Sequence, residues 1–138
     1  MVTTEEKPKK RKKRASPNRI KHNRMAALIA KTEGFGLLKN KSQRSELASE
    51  VMARYGEDIF HKRYYGIIET AECIYWFGIL PRKVNELIDT YDSAKDIARI
   101  LGHTELRIQR AMDHVVSDNI NNILDEAEKW VDQNKHVS

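Results

Sequence analysis

The chain has 138 residues, 40% hydrophobic and 33% charged, a composition that suits one soluble domain with one modest core. No window approaches the roughly 18 consecutive apolar residues that cross a bilayer, and the N-terminus lacks the apolar stretch of a secretory signal. Cys73 is the single cysteine, which excludes an intrachain disulfide and a thiolate zinc cage and points to a reducing compartment. Its neighbours Ile74, Tyr75 and Trp76 suggest a buried structural thiol.

The net charge of +5 is unevenly spread. Residues 1–24 carry ten Lys/Arg against Glu5 and Glu6, a net of +8, whereas residues 25–138 carry 15 Lys/Arg and 18 Asp/Glu, a net of −3. The run Lys9, Lys10, Arg11, Lys12, Lys13, Arg14 cannot bury apolar surface and repels itself, so residues 1–16 are expected to be disordered until they meet an anion. Nucleic acid is the first choice, because each neutralised phosphate releases a condensed counterion. A membrane surface or an acidic protein is a rival polyanion. The stretch Pro8 to Arg14 also resembles a monopartite nuclear localisation signal.

Residues 17–138 read as a helical domain. Ser16-Pro17 is a helix start, with serine as N-cap and proline at the first helical position, and Gly34 and Gly36 end the segment. Leu47, Val51 and Tyr55 predict a second helix over 42–55. A third, from about Asp58, carries Phe60, Tyr64, Ile67, Ile68, Ala71 and Ile74, with Gly78 expected to close it. Pro81 is expected to open a fourth through Val84, Leu87, Ile88 and Tyr91. No alternating β-branched run or Asn-Gly hairpin turn occurs, so the expected fold is all-α and compact. Tyr64, Tyr65, Tyr75, Trp76 and Phe77 read as core in preference to a base-stacking platform, because isoleucines interleave them at helical spacing.

The stretch 93–113 carries the functional argument. Ser93 caps one helix with Asp96 three residues on, Gly102 breaks it, and Thr104 caps the next. Ile97 and Ala98, then Leu101 and Gly102, then Ile108 and Ala111, resemble the helix-turn-helix superfamily of DNA-binding proteins. Ala98 is small where the second helix crosses, and Gly102 permits a positive φ. The resemblance implies that the second helix enters the major groove. The DNA-contacting residues it implies are Thr104, Arg107, Gln109 and Arg110, with Arg99 and His103 beside the phosphates; Arg110 suits guanine and Gln109 adenine. Glu105 and Asp113 oppose that docking, so the basic arm (Lys9 to Arg14) would supply affinity and the helix orientation.

A second, weaker resemblance joins Ile100-Leu101-Gly102-His103 through Val115 to the closing segment of tyrosine recombinases. Met112 stands where that family has its tyrosine nucleophile, and Arg82 lacks the expected His-x-x-Arg context, so no recombinase chemistry follows.

The five histidines show no metal-ligand pairing, and neither a phosphate loop nor a catalytic triad stands out, so the expectation is no enzyme, no cofactor and no metal. A last helix is expected over about 115–133, where Val116, Ile120, Ile123, Ala127 and Trp130 form a two-heptad stripe. Packing onto the core is its default use, and self-association into a homo-oligomer the alternative. The sequence thus predicts a non-enzymatic DNA-binding protein, with DNA ahead of RNA, working in transcription regulation or as a phage or viral accessory protein. Its place would be the cytoplasm or nucleoid, or the nucleus for a eukaryotic source or host. The alternative is an adaptor or small DNA-packaging subunit acting on a polymerase or packaging machine.

Overall fold

The computed structural model describes residues 17–55, 64–91 and 93–134. The expected arm, residues 1–16, lies outside them. The described residues form helices and turns without a strand, an all-α domain.

Helix α1, Pro17–Lys31, begins at the expected proline. Its second half is buried on all sides, with Met25, Ala26, Ala27, Leu28, Ile29 and Ala30 consecutive in the core. A helix stripped of its polar face is one that neighbours surround, and three alanines let them come close. Gly34, at φ 87, turns the chain out of α1 into a short 3-10 turn, Phe35–Leu37. Helix α2, Lys41–Tyr55, follows. Arg44 ties it to its surroundings, donating to Glu72 at 2.8 Å and to the Leu38 carbonyl at 2.6 Å.

The third and fourth expected helices are one. Helix α3, Tyr64–Ile74, runs through a π turn, Tyr75–Ile79, directly into α4, Leu80–Ile88. Gly78 therefore does not close a helix. It is fully inside, and a Cβ placed on it would lie 2.5 Å from Ile120 Cγ2, so its work is to let the last helix approach. Pro81 does stand in the first turn of α4, as expected, but no break in the helix precedes it. Inside a regular α-helix its ring would press on the Phe77 carbonyl, and the widened turn just before it, where the Leu80 amide bonds to the Tyr75 carbonyl, relieves that conflict.

Two short helices stand on this long one: α5, Ala94–Leu101, and α6, Glu105–Met112. Helix α7, Asp118–Asn134, starts later than the expected 115, because Ser117 caps it by accepting from the Ile120 amide at 3.2 Å. Its stripe is used within the chain: Ala127 is buried and Trp130 stands edge-on to Tyr55 at 5.5 Å, with Leu124, outside the expected stripe, buried beside them. Arg24–Glu126 and Lys31–Glu128 ion pairs then tie α7 to α1, and Arg82 reaches Asn121 and Asp125. No described helix is long and apolar enough to cross a membrane.

The start of α1 at Pro17 moves the charge boundary. Arg19, Lys21 and Arg24 belong to the folded body, so residues 17–138 carry 18 Lys/Arg and 18 Asp/Glu. The body is neutral, not acidic. Cys73 also differs from expectation: its neighbours Ile74 and Tyr75 face the core, while Cys73 itself is exposed.

Candidate nucleic-acid interface

The pair α5–α6 is built by local signals. The Ser93 hydroxyl accepts from the Lys95 and Asp96 amides at 3.2 and 3.4 Å, occupying two of the donors a helix start leaves over. Gly102, at φ 79, ends α5, and its amide and that of His103 both bond to the Ala98 carbonyl. Thr104 then caps α6 by accepting from the Arg107 amide at 3.2 Å. Ile97, Ala98, Ile108 and Ala111 are buried and lock the two helices to each other and to the long helix.

At 3.6 residues per turn, α6 has three usable faces. Ile108 and Ala111 point in. Leu106 and Gln109 point out, joined by Asp113 just past the last turn, and Leu106 is 57% exposed. Arg107 and Arg110 lie between, on the edge that overlooks the π turn. There they line a cleft of about 270 Å³, with Trp76, Phe77 and Leu80 on one wall and Arg107, Arg110, Ala111 and His114 on the other. The Arg107 guanidinium sits 3.9 Å above the Trp76 ring, and Phe77 meets the His114 ring at 5.3 Å.

The expected contact residues thus separate. Gln109 is on the outward face and Arg110 at the cleft, so a single base step would not see both side by side. Thr104 is engaged as a cap, and Arg99 is paired with Asp96 at 2.7 Å on its own helix. His103 turns inward. Its Nε2 lies 2.7 Å from the Tyr75 hydroxyl, and its ring stands edge-on to Trp76 at 5.4 Å. Burial lowers its pKa, and the charges of Arg107 and Lys83 push the same way; burial raises that of Tyr75. Lys9, Lys10, Arg11, Lys12, Lys13 and Arg14 lie outside the described residues. Arg82 faces α7 and His103 faces Tyr75, so those two positions of the recombinase-like segment have separate partners.

Several other arginines of the body are ion-paired: Arg24, Arg44, Arg82 and Arg99 each hold a carboxylate. Arg107 and Arg110 have none among the described residues. A larger depression of about 540 Å³ lies between the ends of α1, α2 and α7, but Glu33, Glu128 and Asp132 outnumber Lys31 and Arg54 there, the wrong sign for phosphate. Trp76, Phe77 and His114 are not among the expected site residues. The sequence signal for the first two is the aromatic cluster, whose reading as core holds for Tyr75 but not for Phe77, which is 48% exposed. Among the described residues no group of His, Cys, Asp or Glu is placed to hold a metal ion. Compared with known proteins, the chain matches no family model, no curated protein and no solved structure.

Proposed function

We propose that this chain is a non-enzymatic DNA-binding protein in which α5 and α6 act as a helix-turn-helix and the cations of residues 7–14 act as an arm. The observation that carries the reading is the capped α5–Gly102–α6 pair with Arg107 and Arg110 open on its second helix, in a body whose other described arginines are largely ion-paired. The neutral body contributes little long-range attraction of its own, so affinity is assigned to the arm and orientation to α6. Transcription regulation, or an accessory role in a phage or virus, is the employment that suits such a division.

A salt series tests this. Full-length chain and a chain beginning at Pro17 are titrated with duplex DNA at several salt concentrations. The arm has seven Lys/Arg, so removing it is expected to lower the slope of log K against log salt by up to about 6, and affinity by orders of magnitude at low salt. Arg110→Gln is expected to cost about tenfold with a slope change near 1. Absence of duplex binding by the full chain at low salt would sink the reading.

One observation favours a second reading. Leu106, Ile100 and Leu37 are about half exposed on and around the helix pair, and Leu37 rests against Gly102 at the turn. Apolar side chains in that position suit a protein partner better than phosphates. An adaptor on a polymerase or packaging machine is therefore the alternative, and it inherits if duplex binding fails.

A further inference from the structure

We propose that the cleft between α6 and the π turn is a nucleotide site, taking one unstacked base against Phe77 and that nucleotide's phosphate between Arg107 and Arg110. The inference rests on the nucleic-acid reading above and narrows it: at this site the chain grips single-stranded or locally opened DNA in preference to intact duplex.

Charge is the first support. Arg107 and Arg110 are one helical turn apart on α6 and lack a carboxylate among the described residues. Arg107 is already held over Trp76 at 3.9 Å, so an anion reaching it meets a guanidinium with little freedom left to lose. The second support is the aromatic wall. Phe77 is half exposed, and its ring partner among the described residues, His114, is tilted by 50°, not stacked. A benzyl ring left half in water beside two open cations is what a base with its phosphate would cover.

Size and shape are the third support. Ligand pockets for drug-sized molecules run to about 300–1,000 Å³. This cleft, at about 270 Å³, lies just below that range, and Leu80 and Ala111 supply an apolar floor. A base within a duplex has both faces covered by neighbours and cannot present one to Phe77, whereas a single strand or an extruded base can. The outward face of α6 argues the same way. It sets Asp113 and Leu106 toward whatever approaches from outside, and neither suits a phosphate.

Tryptophan emission reads the site directly. In full-length chain carrying Trp130→Phe, Trp76 is the remaining tryptophan. It is titrated with oligothymidylate, an abasic strand and a duplex of equal length, and thymidine monophosphate. Oligothymidylate is expected to change Trp76 emission and to bind more tightly than the duplex and the abasic strand. Phe77→Leu should weaken oligothymidylate about tenfold or more while leaving duplex affinity and the unfolding midpoint in place. Arg110→Gln should weaken oligothymidylate and abasic strand together. Thymidine monophosphate that displaces the strand and loses affinity in Phe77→Leu would identify a free nucleotide as the source of the same chemistry.

If abasic strand and oligothymidylate bind equally and Phe77→Leu changes neither, the nucleotide site is wrong while DNA binding stands. If no nucleic acid binds at low salt, the parent reading falls and the site with it.

Discussion

At the scale of single residues, the contact between Tyr75 and His103 is where the helix pair is fastened to the long helix. Gly36 makes room for it, since a Cβ there would overlap the Tyr75 ring. His103 follows the left-handed Gly102 directly, so the turn that ends α5 also aims the imidazole at the Tyr75 hydroxyl, 2.7 Å away. Burial raises the Tyr75 pKa and lowers that of His103, which favours the neutral form of each, and the tautomer of the imidazole sets which of the two donates. A histidine whose folded pKa lies below its unfolded value binds fewer protons when folded. Its contribution is intact above the unfolded value and is lost as pH falls through the folded one. Unfolding midpoints are therefore expected to drop as pH falls below the ordinary histidine value of about 6.5, and His103→Gln should flatten that part of the profile. A nuclear magnetic resonance titration gives the site-specific check: the His103 midpoint should lie below that of free imidazole side chains. A midpoint at or above the ordinary value would mean that the ring is not held as described.

Among the elements, the long helix from Tyr64 to Ile88 marks where sequence reading succeeded and where it failed. The α5–α6 pair was legible because its signals are local: Ser93, Gly102 and Thr104 each act within three or four residues. Pro17 at the start of α1 was legible for the same reason. Gly78 was not legible, because its cause lies 42 positions away at Ile120, and Pro81, although it stands in the first turn of α4, follows a π turn and not a break. That turn also inserts a residue into the helical register. Phe77 itself continues the exposed row of Gly66, Glu69 and Cys73, so the helical period already puts it outside the core, and reading the whole aromatic cluster as core missed that.

Gly78→Ala tests the packing account. Helix propensity alone would favour alanine by about 1 kcal/mol. The overlap with the β-branched Ile120 opposes it by about 1–3 kcal/mol, so the expected net result is a modest loss in urea unfolding. Once Ile120→Ala has removed the methyl, the tight neighbour left is the flexible end of Leu124, its Cδ1 at 3.3 Å, which can shift into the vacated space, so the same substitution should stabilise. A double-mutant cycle without that change of sign would refute a packing role for Gly78.

For the molecule as a whole, the two chain ends are expected to contribute in opposite ways. The N-terminal arm brings seven cations and a composition with little apolar surface to bury, so it is assigned to binding and not to stability. Helix α7 is the reverse. Its Lys31–Glu128 pair to α1 is partly exposed and worth at most about 1 kcal/mol, whereas Arg24, bidentate to Glu126 and lying over Trp130, is mostly buried and fixes the orientation of the helix. What holds it is Leu124 and Ala127 in the core and Ile120 in the notch left by Gly78. That use of the stripe leaves little of it for self-association, so a homo-oligomer would need another surface. A chain beginning at Pro17 should keep the unfolding midpoint of the full chain while losing most of its duplex affinity. A chain ending at Ser117 should do worse than lose one helix. With α7 gone, Ile79, Leu80 and the buried half of α1 face water. The far-ultraviolet circular dichroism is then expected to fall by more than the 17 residues of α7 account for, and cooperative unfolding to disappear. If the shortened chain still unfolded cooperatively, α7 would be an appendage, and Gly78 would be left without the packing partner that explains it.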